Sequence, residues 1–226
     1  MADLYGFVQQ NSPGRAADGT SRGVRVTRDG AVLEVPWIQA LCLEGRLFGC
    51  GPGATALGVA AGTFGAGAID TDEFDYLQTI PATVAVIPVY LRVSMVTVGT
   101  ALESGMHAFW GASGVIGANS VAVTPHNLRP ASSNLSACTV AVLGDDGGTT
   151  FVPAGLICRD VTTALTGVAG TPQQFIPQWS VAQAGFTPVL EGLASPGRQI
   201  SIWVDGQAGT GYIHFVYAEL PISAVA

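Results

Sequence analysis

The sequence predicts an all-β protein: an antiparallel β-sandwich of the eight-stranded jelly-roll type, with an extended N-terminal arm. Three observations carry that prediction. About eight runs of β-favouring residues recur every 10–15 residues, separated by turn formers. No amphipathic helical run of ten or more residues interrupts them, which excludes alternating βαβ architectures. The chain has 226 residues, 48% of them hydrophobic, with 30 glycines, enough for one packed β domain and too apolar for disorder. Eight strands at this length suit two four-stranded sheets packed face to face.

The elements follow in chain order. Residues 1–21 read as an arm: Asn11, Ser12, Pro13, Gly14, Asp18 and Gly19 are turn formers without periodicity. Leu4, Tyr5, Phe7 and Val8 give it an apolar patch suited to docking on a neighbour. Residues 22–70 read as a hairpin and a connecting region. Two short runs flank Asp29-Gly30, a hairpin turn. Pro36 to Leu43 suits one or two helical turns with proline at the start. The stretch from Gly49 to Gly67 is a glycine- and alanine-rich loop.

Residues 71–226 read as the jelly-roll domain. Phe74, Tyr76 and Gln78 alternate with Asp75, Leu77 and Thr79. Val89 to Val98 is a long strand with Val89, Leu91, Val93 and Met95 on one face and Tyr90, Arg92 and Ser94 on the other. Further strands are expected at Met106–Trp110, Val121–Val123, Ala137–Leu143 and Phe151–Val161. Pro153 implies an edge position or a late start for the last of these. Pro172–Val181 and Pro188–Leu193 are weaker signals. Gln199–Val204 and Tyr212–Leu220 surround a glycine-rich turn and read as a long antiparallel hairpin, with Ile213, Phe215 and Tyr217 facing the core and His214 and Val216 facing out.

Charge narrows the function. Nine basic residues face sixteen acidic ones, a net charge of −7, so a phosphate-gripping nucleic-acid footprint is not expected. Every cation is arginine. The absence of lysine excludes Schiff-base chemistry and phosphate-loop lysines. A monomer of this mass exposes roughly 9,600 Å², so each charged side chain would serve about 390 Å² of surface, far more than a soluble monomer favours. Cover by neighbouring subunits resolves this. No apolar window reaches the ~20 residues of a membrane helix, since Thr83, Pro88, Arg92 and Ser94 break the longest one. The N-terminus lacks the pattern of a signal peptide.

Tests for chemistry return little. Cys42, Cys50, Cys138 and Cys158 have neither zinc spacing nor a disulfide framework, and Cys138 and Cys158 read as buried thiols. Trp110 to Val115 lacks the second glycine of a nucleophile elbow. His107 and His214 sit in strands, and His126 lies in a loop beside Pro125 and Arg129 with no visible nucleophile. Asp70, Asp72 and Asp75 have part of the spacing of a calcium loop without its glycine or distant glutamate, so a solvated strand entrance, or a partner for a neighbour's arginine, is the plainer reading. The glycine runs at 49–53 and 62–67 lack a phosphate-loop lysine. Asn134-Leu135-Ser136 matches a glycosylation acceptor by composition alone. No catalytic, cofactor or metal site is expected.

A resemblance adds to these readings. The Thr27-Arg28-Asp29-Gly30 hairpin is followed by Val35-Pro36-Trp37 and Leu43-Glu44-Gly45-Arg46. A loose glycine loop leads to Ile80-Pro81-Ala82-Thr83-Val84-Ala85-Val86-Ile87-Pro88-Val89, which opens the β domain. This order resembles structural proteins of environmental bacteriophages and is similar to the jelly-roll capsid, decoration and spike modules of phage virions. The resemblance implies a non-enzymatic virion protein, a shell, cement or decoration subunit whose partners are copies of itself and other capsid proteins, with no cofactor and no membrane or direct nucleic-acid contact. The alternative is a carbohydrate- or receptor-binding jelly roll, in which Trp110, Trp179 and Trp203 form an exposed platform for host surface glycans.

Overall fold

Alternating apolar and polar residues build two antiparallel sheets that share one core. The computed structural model describes residues 36–51, 62–63, 73–97, 103–114, 120–145, 151–163, 177–192, 198–205 and 210–224. The arm at 1–21, the hairpin at 22–35, Asp70, Asp72 and most of the glycine-rich loop lie outside them.

The strands are β1 (Leu47–Cys50), β2 (Gly62–Thr63), β3 (Glu73–Thr79), β4 (Val84–Thr97), β5 (Glu103–Ala112), β6 (Val121–Val123), β7 (His126–Asn127), β8 (Thr139–Asp145), β9 (Val152–Thr163), β10 (Gln178–Ser180), β11 (Leu190–Glu191), β12 (Gln199–Asp205) and β13 (Thr210–Pro221). Two short helices accompany them, α1 (Trp37–Leu43) and α2 (Val181–Ala184). The first sheet runs β10–β4–β13–β1–β7, with β11 also on β4 and β2 on β13. The second runs β6–β8–β3–β12–β5–β9. Every pairing is antiparallel.

The inner faces meet in an apolar core. Phe48, Leu91, Val93, Ile213, Phe215 and Tyr217 come from the first sheet, and Tyr76, Met106, Val140, Ile200, Ile202 and Val204 from the second. Each such side chain contributes roughly 1.5–3 kcal/mol by leaving water. Aromatic rings run through the middle. Phe48 stacks on Tyr217 at 6.0 Å, Tyr217 on Phe215 at 5.6 Å, and Phe215 meets Tyr76 edge-on at 5.6 Å.

Both outer faces carry a second apolar layer. On the first sheet, Leu47, Val89, Val216 and Ala218 lie beneath Ile38 and Leu41 of α1 and Val181 of α2. On the second, Phe74, Leu77, Ala141, Phe109, Phe151 and Trp203 cluster, with Trp203 edge-on to both phenylalanines Phe109 and Phe151 at 5.4 Å.

Three expectations are corrected. Gln199–Val204 and Tyr212–Leu220 are not a hairpin: β12 pairs with β3 and β5 in the second sheet, β13 with β4 and β1 in the first. Both strands are apolar on the face that meets the core, so their alternation fits neighbours in one sheet and strands of two facing sheets equally well. Val89 does not share a face with Leu91 and Val93. Val216 opposes Tyr90 while Tyr217 opposes Pro88, so Val89 is the extra residue of a bulge. The parity of β4 flips there, and Val89 joins the outer layer. Residues 47–50, read from sequence as connecting region, form a strand inside the first sheet with Phe48 and Cys50 in the core. Pro153 stands as expected on an edge strand, since β9 ends the second sheet.

The four cysteines are unpaired; Cys50, Cys138 and Cys158 are buried and Cys42 is partly exposed on α1. Burial pushes the Cys50 and Cys158 thiols up to about 12 and the Cys138 thiol higher still. A disulfide-exchange reagent at about pH 8 is therefore expected to titrate one thiol rapidly in the folded protein and the rest only in denaturant, because the thiolate is the reactive form. Rapid reaction of two or more folded-state thiols would contradict the burial described.

Candidate functional site

The densest polar grouping forms where α1 turns into β1. Helix α1 ends in a Schellman motif: the Gly45 N–H donates to the Cys42 carbonyl and the Arg46 N–H to the Leu41 carbonyl, both at 2.9 Å. Gly45 has φ +67°, a left-handed conformation that glycine adopts without strain. A side chain there would also collide with the Ser132 hydroxyl.

This turn directs the carbonyls of Leu43, Glu44 and Gly45 toward the loop that connects β7 to β8. Asn127 Nδ2 donates to the Gly45 carbonyl at 2.8 Å. Asn134 Nδ2 donates to the same carbonyl at 3.1 Å and to that of Glu44 at 3.3 Å. Arg129 donates to the Leu43 carbonyl. Arg46 and Glu44 pair at 3.3 Å beside them.

The other end of the loop is held by Glu219 of β13, which is buried. One carboxylate oxygen accepts from the Ser136 hydroxyl and the other from the Ala137 N–H at 2.9 Å. Ser136 Oγ also lies 3.0 Å from the Tyr217 hydroxyl and accepts from the Cys138 N–H at 3.2 Å. Between these anchors lies an open cleft of about 550 Å³. Arg46, Phe48, Thr83, Asn134, Leu135 and Glu219 are among its walls.

The geometry defines what this cluster can do. The Ser136 proton goes to the carboxylate, and its lone pairs are taken by the Tyr217 hydroxyl and the Cys138 N–H. No lone pair is left for attack on a carbonyl. Burial, the Cys138 thiol and Glu219 push the Tyr217 phenol far above its usual value, so it stays protonated and able to donate. The cluster is a fastening: it ties the loop to the α1–β1 turn and to the adjacent strand β13 and leaves Leu135 at 86% exposure on the cleft wall.

Residues singled out in the sequence are dispersed by the fold. His107 is buried on β5 and stacks on Phe109 at 6.5 Å. His126 and His214 are exposed on the first sheet. Asp75 is buried, and its carboxylate accepts the Val204 N–H at 2.6 Å, where the β3–β12 ladder ends. Asn134, the glycosylation candidate, has its amide committed to the α1 turn. The three tryptophans do not form one surface. Trp203 is buried, Trp179 on β10 packs against the core from the first sheet, and Trp110 on β5 packs from the second, under Arg198 at 4.8 Å.

Sequence reading missed Glu219 and Asn127, and read Ser136 only as part of a glycosylation acceptor. A single carboxylate inside the apolar run Tyr217-Ala218-Glu219-Leu220 is the signal that marks Glu219, because a strand buries such a group only with partners. A scan against protein-family models, a search of the curated proteins and a search of the solved structures each return no match to this chain.

Proposed function

We propose that the chain is a bacteriophage virion structural protein, a capsid shell, cement or decoration subunit built on a jelly roll and acting through subunit contacts. The supporting observation is the pairing order. In chain order, β1, β3, β4, β5, β9, β10, β12 and β13 pair first with last, second with seventh, third with sixth and fourth with fifth. One long ribbon wound around a core would pair this way, as in the double-sheet jelly rolls of viral capsids and lectins. Strands β6, β7 and β8 then form an insertion between the fourth and fifth strands and extend both sheets.

The surface favours the contact role over catalysis. Leu135, Phe186, Val152 and Leu156 are more than half exposed, and charged residues make up only 11% of the chain. Both suit a molecule whose faces are covered by neighbours.

Size-exclusion chromatography with light scattering tests this reading. A trimer, pentamer or larger assembly is expected, as is co-purification with intact particles at a fixed, high copy number. A stable monomer that binds glycans would overturn the reading in favour of a carbohydrate-binding module.

A further inference from the structure

A second polar grouping lies on the outer face of the first sheet. Arg92 of β4 and His214 of β13 are cross-strand partners. Tyr90 sets its ring edge-on to His214, with centroids 6.0 Å apart. His126 belongs to β7, two strands from β13, with β1 between them. Gly49 of β1 pairs with Val216 on one side and His126 on the other. The His126 ring fills the space Gly49 leaves, its Nε2 2.9 Å from where a Cβ would stand. The missing side chain brings the imidazole toward β13.

The grouping is unbalanced in charge. Both imidazoles are exposed, and Arg92 is partly buried with its Nε lacking a hydrogen-bond partner. Around His214, β4 presents Arg92 and Tyr90, β13 adds Tyr212 two residues away, and β7 presents His126. Beyond Arg92, β10 offers the neutral Gln178, and between β13 and β7 lies Gly49 of β1. No carboxylate stands among them in the described residues. The His214 pKa lies below its usual value through burial, then through His126 and Arg92.

We propose that Arg92, His214 and His126 form a docking patch for a carboxylate carried by a second copy of this chain. A guanidinium offers a planar pair of donors matched to a carboxylate, and the two imidazoles, both on the β13 side of Arg92, add charge-assisted donors when protonated. Each copy carries sixteen acidic residues against nine arginines, so a neighbour's surface supplies carboxylates in excess. The inference rests on the reading of the chain as a self-associating subunit and names a contact through which it associates.

The pH dependence follows from linkage. A docked carboxylate favours the protonated imidazoles, so association takes up protons and tightens as pH falls. A rise of one pKa unit on docking gives about a tenfold change in affinity.

Sedimentation velocity at about pH 8 and about pH 6, at constant ionic strength, tests the patch on the wild type and on H126Q/H214Q, with thermal melts to show that the variant folds. The wild-type association is expected to tighten about tenfold across this range, and the double variant to lose most of that dependence. Gly49→Ala, whose Cβ would stand 2.9 Å from His126 Nε2 and 3.2 Å from Leu128 Cδ2, is expected to lose part of it, with a thermal melt to show that it folds. Equal tightening of wild type and double variant would reflect only the approach to the isoelectric point near 4.7. It would overturn the patch and leave the subunit reading standing. A wild type that stays monomeric at both pH values would overturn both.

Discussion

Phe215→Ala is expected to destabilise the protein by about 3–5 kcal/mol, the range for a fully buried phenylalanine. The ring has no exposure and lies between Tyr76 and Tyr217, each 5.6 Å away. Its neighbours come from both sheets, so collapse around the cavity requires the sheets to approach, which their backbones resist. The loss is a large part of the ~5–15 kcal/mol that holds a domain together. A midpoint shift of roughly 6–20 °C in a thermal melt corresponds to it. His214→Ala, next in sequence but exposed on the opposite face, is expected to cost about 1 kcal/mol or less. If His214→Ala proves the more damaging in the isolated subunit, the faces of β13 are assigned backwards.

Glu219→Ala should follow closely, at about 2–4 kcal/mol. The carboxylate is buried, and its removal takes the acceptor from the Ala137 N–H and leaves the Ser136 hydroxyl only the Tyr217 hydroxyl as a side-chain partner. The reverse truncation, Ser136→Ala, leaves Glu219 its bond to Ala137 and is expected to cost about 1 kcal/mol. Urea melts rank the two. Limited proteolysis gives a second readout, because the loop between β7 and β8 loses its anchor on β13 in Glu219→Ala and should be cut earlier. Wild-type stability and protection in Glu219→Ala would show that the carboxylate fastens nothing.

The β class was legible because it is written locally. Alternation in 74–79, 106–110, 199–204 and 212–220 marks strands β3, β5, β12 and β13 regardless of their partners. Sheet membership was not legible. A strand, a glycine-rich turn and another strand look alike whether the second strand folds back beside the first or crosses the core, and β12 and β13 do the latter. The bulge at Val89 also left no mark, since valine suits either face of β4. The loop anchor joins residues 82 and 83 positions apart, and the grouping of Arg92, His126 and His214 takes one side chain each from β4, β7 and β13. Such groupings exist only after the sheets assemble. His126 drew attention as a lone loop histidine, while what positions it is the empty side-chain site of Gly49 one strand away.

The placement of β12 and β13 has a kinetic consequence. They are the last two of the described strands, yet β12 lies between β3 and β5 and β13 between β4 and β1, inside their sheets. Until they arrive, β1 and β4 have no common neighbour, and neither do β3 and β5. A ribosome-bound chain whose β12 and β13 have not yet emerged therefore holds open sheet edges and an unfilled core until they do, at ~5–20 residues synthesised per second. Closure joins Leu47 to Ala218 and Thr79 to Gln199, loops long enough to place the molecule among slow folders. The interval before β12 and β13 emerge is when edge-to-edge misassembly competes with folding.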